Sequence, residues 1–203
     1  YIVLWTILRD GPVILNLMET VVILGGLGSA CIAASFIIYT LFAVHGKTKP
    51  HVFTWLIWTI THGLAASAIF DGGGGWFAAL PLFLAAALSL FIVFLGLSYG
   101  SLKITTLDVS ALAAASAAVI VWWKLDNPEL AVMMIAAIDL IGFIPTYRQS
   151  WHDPYTEPLS TWILYIFGNL LALTALTAYN LETTFYISTM IVASLLLTAI
   201  ITK

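Results

Sequence analysis

Residues 145–162 read PTYRQSWHDPYTEPLSTW, a polar segment with Pro145, Pro154 and Pro158 set between two apolar runs. A paler copy, YTLFAVHGKTKPHVFTW, occupies residues 39–55. Aligning Thr48-Lys49-Pro50 with Thr156-Glu157-Pro158 puts Tyr39 on Tyr147 and, further back, Cys31 on Asp139. One inserted residue later, Thr54-Trp55 falls on Thr161-Trp162, Trp58 on Tyr165 and His62 on Asn169. A segment that recurs with its flanks points to an internal repeat, and the flanks decide what kind.

Those flanks are membrane material. Of 203 residues, 62% are hydrophobic and only 8% charged, with a mean hydropathy of +1.04. A water-soluble domain cannot hide that much apolar surface, so an all-α integral membrane protein with lipid as its main partner is expected. The 7 basic residues against 10 acidic ones provide no patch for nucleic acid. The lone Cys31 excludes an intramolecular disulfide or a thiolate metal cluster.

Seven apolar runs approach the roughly 20 residues a bilayer core requires. They lie at about 20–44, 52–70, 76–97, 104–123, 130–147, 159–179 and 183–202, separated by turn-forming segments too short for a soluble domain. Asp108 weakens the fourth run, which is rich in Ala and Ser. The repeats sit in runs one-to-two and five-to-six, so the fourth run falls between the halves. A single linking helix lets two three-helix units run parallel, which predicts a 3-1-3 arrangement. The organisation is then a first unit over 19–99, a linker helix over 104–124 and a second unit over 128–203, all in one membrane domain. Residues 1–18 carry Arg9-Asp10-Gly11-Pro12 and read as a short interfacial helix or a partial one. With the N-terminus outside and the C-terminus in the cytoplasm, Lys47, Lys49, Lys103, Arg148 and Lys203 fall inside. Arg9 and Lys124 fall outside.

Phe143-Ile144-Pro145-Thr146, followed by Tyr155-Thr156-Glu157-Pro158-Leu159-Ser160, resembles the PQ-loop pattern of the SWEET and PQ-loop transporter superfamily. The likeness is to a divergent member of bacterial type and places the chain in a bacterial inner or plasma membrane. It implies the same 3-1-3 fold, an outside N-terminus and passage of a small polar solute by alternating access. Members move sugars, and related 3-1-3 proteins move nicotinamide riboside or basic amino acids. Three departures stand out. Pro158 replaces the loop glycine, Ile37 stands where the first repeat would carry its proline, and the paired asparagines of the sugar facilitators have no counterpart. Ser89 and Ser194 are the only polar residues offered at those depths.

Site candidates follow from polarity inside apolar runs. Asp139 lies mid-span with no basic residue near it in sequence, at a cost of about 2.5–3.5 kcal/mol on insertion scales. His62 is the other ionisable group within a span. Trp55, Trp58 and His62 share one helical face at i, i+3 and i+7, and Trp162, Tyr165 and Asn169 repeat that face. Trp58, His62, Asp139, Tyr165 and Asn169 are therefore the expected solute-binding residues. Trp55 and Trp162, at span starts, read as interfacial-belt aromatics. Pro145 reads either as a static kink or as a hinge, and Arg148 as a gate residue beside it. No nucleophile–base set, zinc spacing or phosphate-binding loop is visible, so neither enzymatic activity nor a cofactor or metal is expected. The chain could work alone, as a homo-oligomer or in a larger membrane complex. A receptor or subunit that keeps the fold without transporting is the alternative reading.

Overall fold

The computed structural model describes the backbone of residues 2–100, 106–125 and 127–203, with side chains omitted at 2–14, 107, 108, 111, 125, 145, 149 and 156. Seven α-helices make up nearly all of the described chain: α1 Ile2–Val44, α2 Val52–Asp71, α3 Trp76–Tyr99, α4 Thr106–Leu125, α5 Pro128–His152, α6 Leu159–Thr174 and α7 Leu181–Ile201. A 3-10 turn over Pro154–Thr156 joins α5 to α6. Five helical stretches are long and apolar enough to cross a membrane: Leu15–Val44 of α1, then α2, α3, α5 and α7. Large apolar side chains such as Ile23, Phe94 and Val192 point outward from them, as lipid-facing surfaces require. The protein is an integral membrane protein.

One expected span is shorter than its sequence run: α6 stops at Thr174. The reason at α6 is local hydrogen bonding. Residues after Ala175 leave the helix to bind the glycine turn between α2 and α3. Thr177 N–H donates to the Gly74 carbonyl (3.0 Å), Thr177 Oγ1 to Gly73 (2.8 Å) and Asn180 Nδ2 to Gly72 (2.7 Å). Gly73 and Gly75 adopt φ of 81° and 89°, a region only glycine enters freely, which presents those carbonyls to the partner loop. Asn180 then caps α7 in a reciprocal box with Thr183.

The N-terminal expectation needs correction. No separate interfacial helix over 1–18 forms; α1 is one continuous helix of 43 residues from Ile2 to Val44. Pro12 removes a single backbone hydrogen bond, and the apolar helix-forming stretches on both sides carry the helix through it. At about 1.5 Å per residue α1 reaches about 65 Å, roughly twice the hydrocarbon thickness of a bilayer. The portion before Leu15 therefore extends beyond a single crossing.

The packing has a regular pattern. α3 packs against both α1 and α2, while α7 packs against both α5 and α6. Between these groups α1 contacts α6, α2 contacts α5, α3 contacts α6 and α2 contacts α7. α4 rests on α5 and α2. The α1–α6 crossing is close because Gly28 and Gly168 back onto each other. A Cβ built on either would stand 3.1 Å from the other's carbonyl oxygen. Small residues at such crossings allow helices in lipid to gain dispersion contact along their backbones.

Candidate functional site

The site starts from the two ends of the repeated segment. α2 begins at Val52, directly after the His45–His51 loop, so its first three turns bring Trp55, Trp58 and His62 to the interior. α6 begins at Leu159, directly after the 3-10 turn, and brings in Thr161, Trp162 and Tyr165. Between them α5 contributes Asp139 and Phe143, one turn apart. Ser35, Phe36 and Tyr39 of α1 and Met190 of α7 complete the wall of one cavity of about 30 Å³. That is room for one or two waters. By their positions along the helices these residues lie nearer the 45–51 and 153–158 loops than the glycine turn.

Aromatic rings form a continuous arc around this space. Trp55 and Trp58 meet edge-on at 4.8 Å between centroids, Trp58 and Phe143 lie 6.0 Å apart, Phe143 and Trp162 5.6 Å, and Trp162 and Tyr165 6.2 Å. Such offset and edge-to-face pairs hold each other's orientation beyond what apolar burial gives. The belt expectation for Trp55 and Trp162 is thus overturned, since each is 6% exposed. Trp162 is drawn inward because its Nε1–H donates to Glu157 Oε2 at 3.0 Å, satisfying the indole without interfacial water. Burial pushes the Glu157 carboxyl up to about 7, and the Trp162 hydrogen bond acts in the opposite sense.

Two buried polar pairs stand at the deep end of the arc. His62 Nε2 and the Tyr165 hydroxyl are 3.0 Å apart, linking α2 to α6. The Tyr186 hydroxyl donates to Asp139 Oδ2, linking α7 to α5. The His62 ring also packs edge-on against Tyr186 at 6.2 Å, which joins the pairs into one cluster. Each pair retains one buried atom without a hydrogen-bond partner, His62 Nδ1 and Asp139 Oδ1. The Trp58 carbonyl acts on the His62 ring at a geometry short of a full hydrogen bond.

Four of the five expected binding residues, Trp58, His62, Asp139 and Tyr165, therefore line one cavity. Asn169 does not line it. It is buried one turn further along α6, where its Nδ2 donates back to the Tyr165 carbonyl at 2.8 Å. Ser89 and Ser194 are buried away from the cavity, each with an unpartnered hydroxyl. α5 continues through position 145 without interruption, so Pro145 does not end it; its side chain lies outside the described residues. Arg148 is exposed and stands apart from the cavity. Lys103 and the side chains of Arg9, Asp10, Pro12 and Asp108 also lie outside the described residues.

Sequence reasoning missed Phe143, Thr161, Ser35, Tyr39 and Tyr186. Phe143 was detectable as the residue four places after Asp139, on the same face. Tyr186 was not, because nothing near it in sequence marks it as the partner of a carboxyl 47 residues away. Among the described residues, no group of three or more His, Cys, Asp or Glu side chains is arranged to hold a metal. In comparisons with known proteins the chain matches no family model, no curated protein and no solved structure.

Proposed function

We propose that the protein is a SWEET-like membrane transporter that moves a small polar solute by alternating access between two three-helix repeats. The observation that carries this reading is the symmetry of the packing. Exchanging α1 with α5, α2 with α6 and α3 with α7 turns every contact within and between these helices into another contact that is present. Thus α1–α3 becomes α5–α7, α2–α3 becomes α6–α7, α1–α6 becomes α5–α2, and α3–α6 becomes α7–α2. Two like units with α4 as a linker form a 3-1-3 membrane fold, in which α6 crosses together with its shortened end. The exchange agrees with the sequence alignment of Thr48 on Thr156 and Trp55 on Trp162.

The cavity lies between the units, where a rocking motion would expose it to each side in turn. Trp58, His62, Tyr165 and Asp139 would bind the solute, with Asn169 supporting Tyr165 from behind. Pro145, within the continuous α5, would supply the bend, with exposed Arg148 at its end of the gate. The N-terminus is assigned to the outside and the C-terminus to the cytoplasm, on the charge bias of the loops. The reading is non-enzymatic. Uptake into proteoliposomes, screened over sugars, amino acids and vitamins, is the test. Absence of flux for every class, from protein that elutes as a monodisperse folded species, overturns transport.

One observation favours a second reading, a non-transporting receptor or membrane subunit. Bulky rings leave only about 30 Å³ in the cavity. Co-purification of a stoichiometric membrane partner, together with absent flux, would decide for it.

A further inference from the structure

The cavity sets seven aromatic rings, on α1, α2, α5 and α6, around one carboxyl group, with no lysine or arginine among its lining residues. Tyr186 binds Asp139 Oδ2, and Oδ1 is left buried without a partner; Asp139 itself is 1% exposed. A buried carboxylate with no protein cation beside it is costly in a membrane. His62, the other ionisable side chain of the lining, has its Nε2 turned to the Tyr165 hydroxyl, so a cationic occupant would provide a charge that no lysine or arginine supplies.

From this juxtaposition we propose that the cavity is a binding site for a small organic ammonium ion. The inference rests on the transport reading only in taking the same cavity as the solute site. Trp55, Trp58, Phe143 and Trp162 line the cavity, and the π faces of such rings are the electron-rich surface to which methylated or alkylated ammonium groups are attracted. Asp139 Oδ1 supplies the counter-charge at the deep end. From about 30 Å³ the walls must part for either occupant, and by less for a trimethylammonium head group than for a hexose. A neutral sugar would also need several hydrogen-bonding groups free to meet its hydroxyls. Here the Tyr165 hydroxyl faces His62, and Thr161 Oγ1 is turned to the Ser35 carbonyl at 3.4 Å.

The test compares shape with charge. Quenching of intrinsic tryptophan fluorescence, with the full chain in detergent or nanodiscs, is titrated with choline, tetramethylammonium, the neutral choline isostere 3,3-dimethylbutan-1-ol, and glucose. Choline is expected to bind at least about tenfold more tightly than its isostere. Asp139→Asn, which preserves shape and the acceptor for Tyr186, is expected to remove that preference. Equal binding of choline and the isostere overturns the proposal in the wild-type protein, whether or not the variant folds. Binding of glucose alone, or a variant that still prefers choline, overturns it as well. Proteoliposome uptake separates this from the transport reading. Choline binding without flux supports the cation site and counts against transport, whereas glucose flux without choline binding does the reverse.

Discussion

The Tyr186 hydroxyl donates to Asp139 Oδ2 across the α5–α7 interface and, among the described residues, is the only side chain that makes a full hydrogen bond to that carboxyl. Tyr186→Phe would therefore leave a buried carboxyl with only the Thr61 side chain acting on it, short of a full hydrogen bond. An unsatisfied buried polar group costs about 1–3 kcal/mol, whereas removing both partners together can be nearly neutral. Thermal unfolding in detergent should thus place Tyr186→Phe below wild type. The double variant Asp139→Leu/Tyr186→Phe should lie above Tyr186→Phe. A double variant less stable than the single one would mean that Asp139 is held by something other than this bond.

His62 and Tyr165 couple α2 to α6 through a 3.0 Å hydrogen bond. A double-mutant cycle with His62→Gln and Tyr165→Phe should return a coupling of about 0.6 kcal/mol, the average for hydrogen bonds between membrane helices, and no more than about 1.7 kcal/mol. Additive effects would mean the contact contributes no energy of its own.

Adjacent glycines in α1 give an internally controlled test of packing. A Cβ on Gly25 would collide with the Phe77 carbonyl of α3, a backbone group that cannot step aside, while a Cβ on Gly26 meets nothing within 4 Å. Gly25→Ala should lose about 1–3 kcal/mol through overpacking. Gly26→Ala should be neutral or gain up to about 1 kcal/mol from helix propensity. Melting temperatures in the opposite order would mean that α1 does not pack against α3 at this depth.

Glu157 lies in the loop between α5 and α6, outside the membrane-spanning helices. Burial raises its carboxyl from 4.5 to about 7 in the folded protein. The folded state therefore holds the proton more tightly than the unfolded one, so stability from this group is full below about pH 4.5. It falls as the pH rises towards 7. Melting temperature should decline across that window, and Glu157→Gln should flatten the decline and leave the protein more stable at pH 8. An unchanged profile in the variant would assign the decline to other groups.

How much of this was legible depends on the distance over which each feature is determined. Span positions and the paired stripes follow from composition and spacing within one helix, so Trp58, His62 and Tyr165 could be located from the sequence. Asp139 could be found because a carboxyl amid Ala and Ile is conspicuous anywhere. Trp55 and Trp162 were misread because a span-start tryptophan is normally interfacial. Only tertiary packing, with Glu157 taking the indole N–H of Trp162, turns them inward. Asn169 matched His62 by alignment yet binds its own helix, since α6 packs closely on α1 through Gly168 and buries the next position. The early end of α6 was illegible for a similar reason: its last turn is given up to a loop about 100 residues away in sequence.

That loop pairing makes the two ends of the bundle unequal. Three hydrogen bonds, from Thr177 and Asn180 to Gly72, Gly73 and Gly74, tie the α2–α3 turn to the α6–α7 loop, while the cavity sits towards the other end. At roughly 0.5–1.5 kcal/mol each, they weight the resting ensemble against opening at the glycine end by tenfold or more. Under the proposed N-outside assignment, the tied end is the extracellular one. In the transport cycle proposed above, an unloaded protein would then face the cell interior, and loosening Thr177 or Asn180 would redistribute it between the two sides.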